Sequence, residues 1–93
     1  MKRFKIQTQK GLVTLSIHKD PERWFLVSDF CGGDQSLPYI GYKVAARMGE
    51  MQKSGYLTSR WSDRRTVLGT KTKEYRLARN KTIEISGEYI VII

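Results

Sequence analysis

The apolar residues Ile40, Val44, Met48 and Met51 recur at spacings of four, four and three. No other feature constrains the chain as much. The spacing puts all four on one face of an α-helix, and that face has to be buried. It predicts a helix over Tyr39–Ser54. Ser36 is placed to cap its start, and Pro38 is tolerated in a first turn. Gly55 supplies the left-handed residue that ends a helix, with Lys53 in the last turn near the negative dipole end. Tyr56 and Leu57 then predict an extended chain returning to the core.

If Val44 and Met51 face inward, Tyr42, Ala46, Glu50 and Lys53 face outward, with Lys43 and Arg47 on the flanks. Such a surface suits duplex DNA. Arginine can hydrogen-bond O6 and N7 of guanine, and alanine can touch a thymine methyl. Lys43 and Lys53 suit phosphates. Arg47 has a second reading, because Glu50 lies three residues on and the two can pair along the helix.

The formal charge is +8, and its placement matters more than its size. From Gly41 to Arg79, ten Lys and Arg stand against three acidic residues, while the rest of the chain holds seven against six. A local positive field favours a polyanion, most simply nucleic acid. Arg60, Arg64, Arg65, Lys71 and Lys73 crowd one segment, with Gly69 available for a tight turn. This predicts a basic β-hairpin able to lie along a nucleic-acid backbone or enter a minor groove. Trp61 and Tyr75 either stack on bases or pack into the core.

Three runs carry a family resemblance: Ala45-Ala46-Arg47-Met48-Gly49-Glu50-Met51, then Lys53-Ser54-Gly55-Tyr56-Leu57, then Arg64-Arg65, Gly69 and Lys73-Glu74-Tyr75-Arg76-Leu77. With them, residues 36–78 resemble the winged helix-turn-helix superfamily, most closely its small bacterial and phage members. The resemblance implies an α+β, winged-helix-like domain with a recognition helix and a wing. It implies a duplex-DNA-binding protein, a transcriptional regulator or a phage-type accessory protein. The residues expected to contact DNA are Tyr42, Lys43, Ala46, Arg47, Lys53, Arg60, Arg64, Arg65, Lys71 and Lys73. Two other classes stay open: a non-catalytic interaction protein, such as a phage-encoded inhibitor of a host protein, and an RNA-binding module.

The flanks of this region are less regular. Phe4, Ile6 and Thr8 alternate with polar residues, Lys10-Gly11 marks a turn, and Val13, Leu15 and Ile17 alternate again. This predicts an N-terminal β-hairpin. Asp20-Pro21-Glu22 either caps a helix or turns the chain into another strand. Trp24-Phe25-Leu26-Val27 favours a buried strand, and Ser28-Asp29-Phe30-Cys31 a short helix with Ser28 as its cap. The family's first helix has no clear counterpart: either Pro21 to Cys31 supplies it or the hairpin replaces it. Thr82–Ile85 and Tyr89–Ile93 flank Ser86-Gly87-Glu88 and predict an additional C-terminal β-hairpin. Its last strand is apolar on both faces. Either it is a central strand joining the N-terminal hairpin, or Ile90, Val91, Ile92 and Ile93 build a homodimer.

The chain reads as one domain over residues 1–93. Cys31 is the single cysteine and His18 the single histidine. Neither an intrachain disulfide nor a conventional Cys/His zinc site is expected, which favours a cytoplasmic location. Met1-Lys2-Arg3 is not followed by the apolar core of an export signal, and no run approaches a membrane span. Gly32-Gly33 lacks phosphate-loop spacing, and Ser28, Cys31 and His18 form no recognised nucleophile arrangement. Neither catalysis nor a cofactor is expected.

Overall fold

Thr8 starts the first helix. Its hydroxyl accepts the Gly11 N–H at 3.1 Å and caps α1, Gln9–Lys19. The computed structural model describes residues 2–65, 69 and 71–93, and leaves the side chains of Arg64 and Arg65 outside the description. A short strand, β1 (Lys2–Lys5), precedes α1. A strand and a helix thus stand where an N-terminal β-hairpin is expected. The alternation of Val13, Leu15 and Ile17 with Thr14, Ser16 and His18 reads as a strand only if the polar members face water. Thr14 and Ser16 are instead buried. Their hydroxyls donate to the carbonyls of Lys10 and Leu12, one turn back, at 2.7 and 2.9 Å. A hydroxyl satisfied by its own helix can be buried without an unpaired polar group.

Residues 20–31 are neither one helix nor one strand. Pro21 and Glu22 lie in a turn, β2 is only Phe25–Leu26, and Val27–Phe30 form a short 3-10 helix. Asp29, not Ser28, anchors that helix: its Oδ2 accepts the Leu26 N–H at 2.8 Å. Phe25 and Phe30 stack at 5.6 Å and bury the segment.

The main amphipathic helix, α2, spans Val44–Lys53, starting five residues later than the spacing predicts. Gly41 has φ +95°, which breaks the helix there. The N–H groups of Ile40 and Gly41 donate to the Phe30 carbonyl at 2.7 and 3.2 Å. Ile40 therefore keeps its place against the core from a loop. Ser36 does not cap α2, since its hydroxyl and its N–H both donate to Asp34 Oδ1. The other end is as expected. Gly55 has φ +83°, the Tyr56 N–H donates to the Met51 carbonyl, and the Gly55 N–H to that of Gln52. These are the two bonds of a Schellman cap.

Two strands follow, β3 (Leu57–Arg65) and β4 (Lys71–Leu77), then the hairpin β5 (Ile83–Ser86) and β6 (Tyr89–Ile92). They build two antiparallel three-stranded sheets, ordered β2-β4-β3 and β1-β6-β5. The class is α+β, with the C-terminal hairpin present. One core joins both sheets: Phe4, Ile90 and Ile92 from one, Phe25, Leu57 and Tyr75 from the other, with Val13 and Ile17 of α1 and Val44, Met48 and Met51 of α2. No described helix is long and apolar enough to cross a membrane.

The central position of β6 answers the question its composition raises. Paired on both edges, it has Ile90, Val91 and Ile92 buried within one chain. Only Ile93, 45% exposed, reaches the surface. A homodimer through Ile90, Val91, Ile92 and Ile93 needs an uncovered face, and this chain covers it.

The packing gives two glycines opposite expectations. A Cβ on Gly11 would lie 2.0 Å from the Lys5 carbonyl oxygen, whereas one on Gly49 meets nothing within 4 Å. Gly11→Ala should therefore lower stability by about 1–3 kcal/mol. Gly49→Ala should raise it by up to about 1 kcal/mol, the helix-propensity gain. Thermal melts of both variants check the opposite signs. Ile92→Asp should unfold the chain at any concentration; a folded, smaller particle by light scattering would restore the interface reading.

Candidate nucleic-acid interface

The outer face of α2 follows from its inner one. With Val44, Met48 and Met51 in the core, the 100° step per residue centres the outer face on Ala46 and Lys53. Both are exposed, as are Lys43, Ala45 and Tyr42, the last 81% exposed just before the helix. Ala45, Ala46 and Gly49 leave this face low. A large partner can approach the backbone there, with cations at Lys43 and Lys53.

Arg47 lies 100° to one side of Ala46. Its Nε donates to Gln9 Oε1 at 3.1 Å and its Nη1 to Glu50 Oε1 at 2.9 Å. Glu50 is also 3.6 Å from Lys10 Nζ. The Arg47 guanidinium, aided by Lys10, holds the Glu50 carboxyl below its ordinary range. Arg47 pairs with Glu50, as the spacing allows, and also bridges to α1. On this side a basic recess of about 480 Å³ opens, lined by Arg47, Lys10 and the residues of β1. Sequence reasoning missed it, because β1 and α2 lie some forty positions apart and only the fold joins them.

On the other side of Ala46, the helix faces the β3–β4 hairpin. A mostly apolar groove of about 670 Å³ runs between them, lined by Tyr42, Ala45, Val27, Trp61, Lys73 and Tyr75. Tyr75 is core, as the packing reading has it. Trp61 is not: it is 60% exposed, where the β3–β4 register slips, with the Lys73 ammonium 5.5 Å from its ring. Lys71 and Lys73 are exposed on β4. Arg60 pairs across the strands with Glu74. Alternation puts that pair on the sheet face opposite Tyr75 and Trp61. There Arg60 lies 4.0 Å from the Trp24 ring, with Arg76 at 5.2 Å. It is thus separated from the groove. The side chains of Arg64 and Arg65 lie outside the described residues.

A polar clamp holds the approach to α2. Arg23 Nη2 contacts Asp34 Oδ2 at 2.8 Å and Asp29 Oδ2 at 3.3 Å, tying the turn after α1 to the 3-10 helix and the loop beyond it. The Ser36 hydroxyl, with Arg23, holds the Asp34 carboxyl at about 2, below its ordinary 3.8.

Comparison with protein-family models, with curated proteins and with solved structures finds no match to this chain.

The Asp34 clamp carries a pH dependence. Its folded-state pKa is depressed, so its contribution is complete above pH 3.8 and is lost as pH falls toward about 2. Asp34→Asn should lower the melting temperature at neutral pH and flatten its fall between these two values. An acid limb identical to that of the parent chain would remove the clamp from the stability of this loop.

Proposed function

We propose that the chain binds duplex DNA, with α2 laid in the major groove and the β3–β4 hairpin along the backbone. One observation carries the reading: the low, exposed face of α2 at Tyr42, Lys43, Ala46 and Lys53 is flanked by cations on both sides. The element order supports it as well. Helix α1, strand β2, a short 3-10 helix, helix α2 and a hairpin, with β4 between β2 and β3, come in an order compatible with the winged-helix plan that the sequence of residues 36–78 resembles. In this reading Lys43, Lys53, Lys71 and Lys73 meet phosphates, Ala46 and Tyr42 lie against base edges, and Arg47 reaches a base or phosphate from the flank. The reading is of a non-catalytic regulator or accessory protein. It does not require a dimer.

A second reading draws on Trp61. A half-open apolar groove with an exposed tryptophan beside a lysine also suits a protein partner with an acidic, aromatic-binding segment. Under that reading the basic face serves recognition of a protein.

Titration of the chain with duplex DNA, single-stranded DNA and structured RNA at two salt concentrations tests the proposal. Duplex should bind most tightly. Lys43→Ala should weaken duplex binding without lowering the melting temperature. Arg47→Ala should lower both, because Arg47 also braces α1 through Gln9. Replacing Lys71 and Lys73 by Ala should weaken all duplexes alike and make the slope of log affinity against log salt shallower by about 0.9 per lost contact. Preference for single strands or RNA, or no nucleic-acid binding at all, overturns the reading.

A further inference from the structure

The ten positions from Met1 to Lys10 hold four cations, Lys2, Arg3, Lys5 and Lys10, and no acidic residue. In the chain they stand apart from the basic region after Gly41. The fold brings them next to it. Among the described residues, β1 is an edge strand of its sheet, paired with β6. Its four residues line the recess that Arg47 closes from the side of α2. Gln9 fixes this closure, since its Oε1 accepts the Arg47 Nε–H at 3.1 Å. Glu50 is the one carboxylate bound into the cluster by its described contacts, through Arg47 and Lys10. Five cations therefore line one open recess, two of them ion-paired to Glu50 and Arg3 with its guanidinium over the Tyr89 ring. Lys2, Arg3 and Lys5 are exposed.

We infer that β1 and the start of α1 form a third DNA-backbone contact, on the side of α2 opposite the hairpin. The inference rests on the duplex-binding reading and extends its footprint. Helical geometry sets the arrangement. Ala45 and Arg47 project 100° to either side of Ala46, so the hairpin groove and the basic recess flank the outer face of α2. A helix in the major groove has a phosphate backbone on each side. The hairpin can serve one backbone, and β1 with Arg47 the other. At about 3.3 Å per residue, the strand runs along roughly three phosphates of one DNA strand. An open, elongated recess suits a line of phosphates better than a single enclosed anion.

Lysines on an edge strand also blunt unwanted β-pairing. That role needs charge on β1 alone. It does not account for Arg47, which belongs to another element and is held over the same recess.

The test is the full-length variant Lys2→Gln, Arg3→Gln, Lys5→Gln, compared with the parent chain on one duplex at several salt concentrations. All three residues are exposed, and the variant loses only the surface contacts of Lys2 with the Phe4 ring and of Arg3 with the Tyr89 ring, so the melting temperature should change little. The slope of log affinity against log salt should become shallower by about 0.9 for each lost contact, so that the affinity lost between 50 and 200 mM salt shrinks by about forty-fold. If the parent binds duplex and the variant keeps its slope, β1 lies outside the interface and only this inference falls. It falls in the same way if the variant gains nothing but a tendency to self-associate. If the parent fails to bind duplex, the duplex reading and this inference fall together.

Discussion

Strand β6 is the element on which the rest depends. Its apolar residues cannot be left at a surface, and the fold buries them by pairing both edges, with β5 from the adjacent hairpin and β1 from the opposite end of the chain. That long-range pairing brings Phe4 to the core beside Ile90 and Ile92. The turn after β1 then starts α1 at Thr8. Gly11 comes so close to the Lys5 carbonyl that only a residue without a side chain fits. Helix α1 lies against β6 and against α2, so the closure of the chain ends fixes the helix that supports the candidate interface.

The interface is also shaped by where cations are not free. Arg60 is taken up by Glu74 and Trp24, Arg23 by Asp34 and Asp29, and Arg47 in part by Glu50 and Gln9. These pairs hold strands, loop and helices in register. Lys43, Lys53, Lys71 and Lys73 are exposed, Lys43 and Lys53 at the two ends of α2 and Lys73 on the groove that borders it. A cluster of like charges that tolerates this proximity is one that a polyanion would relieve, which is the physical content of the proposed function.

Local signals placed α2 well and α1 not at all. The inward face of α2 is written in Val44, Met48 and Met51, and its end in Gly55, because helical spacing and a left-handed cap depend only on neighbours in sequence. Its start misled: Ile40 continues the spacing, yet Gly41 takes a left-handed conformation to meet the Phe30 carbonyl. In α1 the pattern alternates because Thr14 and Ser16 are polar in composition but buried in fact. Trp61 could not be assigned locally, because an aromatic ring on a strand serves either a core or a surface, and this one stands in the open groove. Of the expected contact residues, Ala46 and Lys53 lie on the outer face of the helix and Tyr42 and Lys43 just before it, while Arg60 turns to the far face of its sheet.

The amino-acid sequence alone determined the α+β class, the amphipathic helix with its glycine stop, the C-terminal hairpin and a basic stretch after Gly41. Each of these depends on periodicity, turn chemistry or charge within a few dozen residues. Tertiary structure decided that residues 9–19 are a helix, that β6 is covered by this chain, and that the cations of β1 stand beside Arg47. Those outcomes depend on contacts between distant segments, where burial and pairing outweigh the local preference of any short stretch.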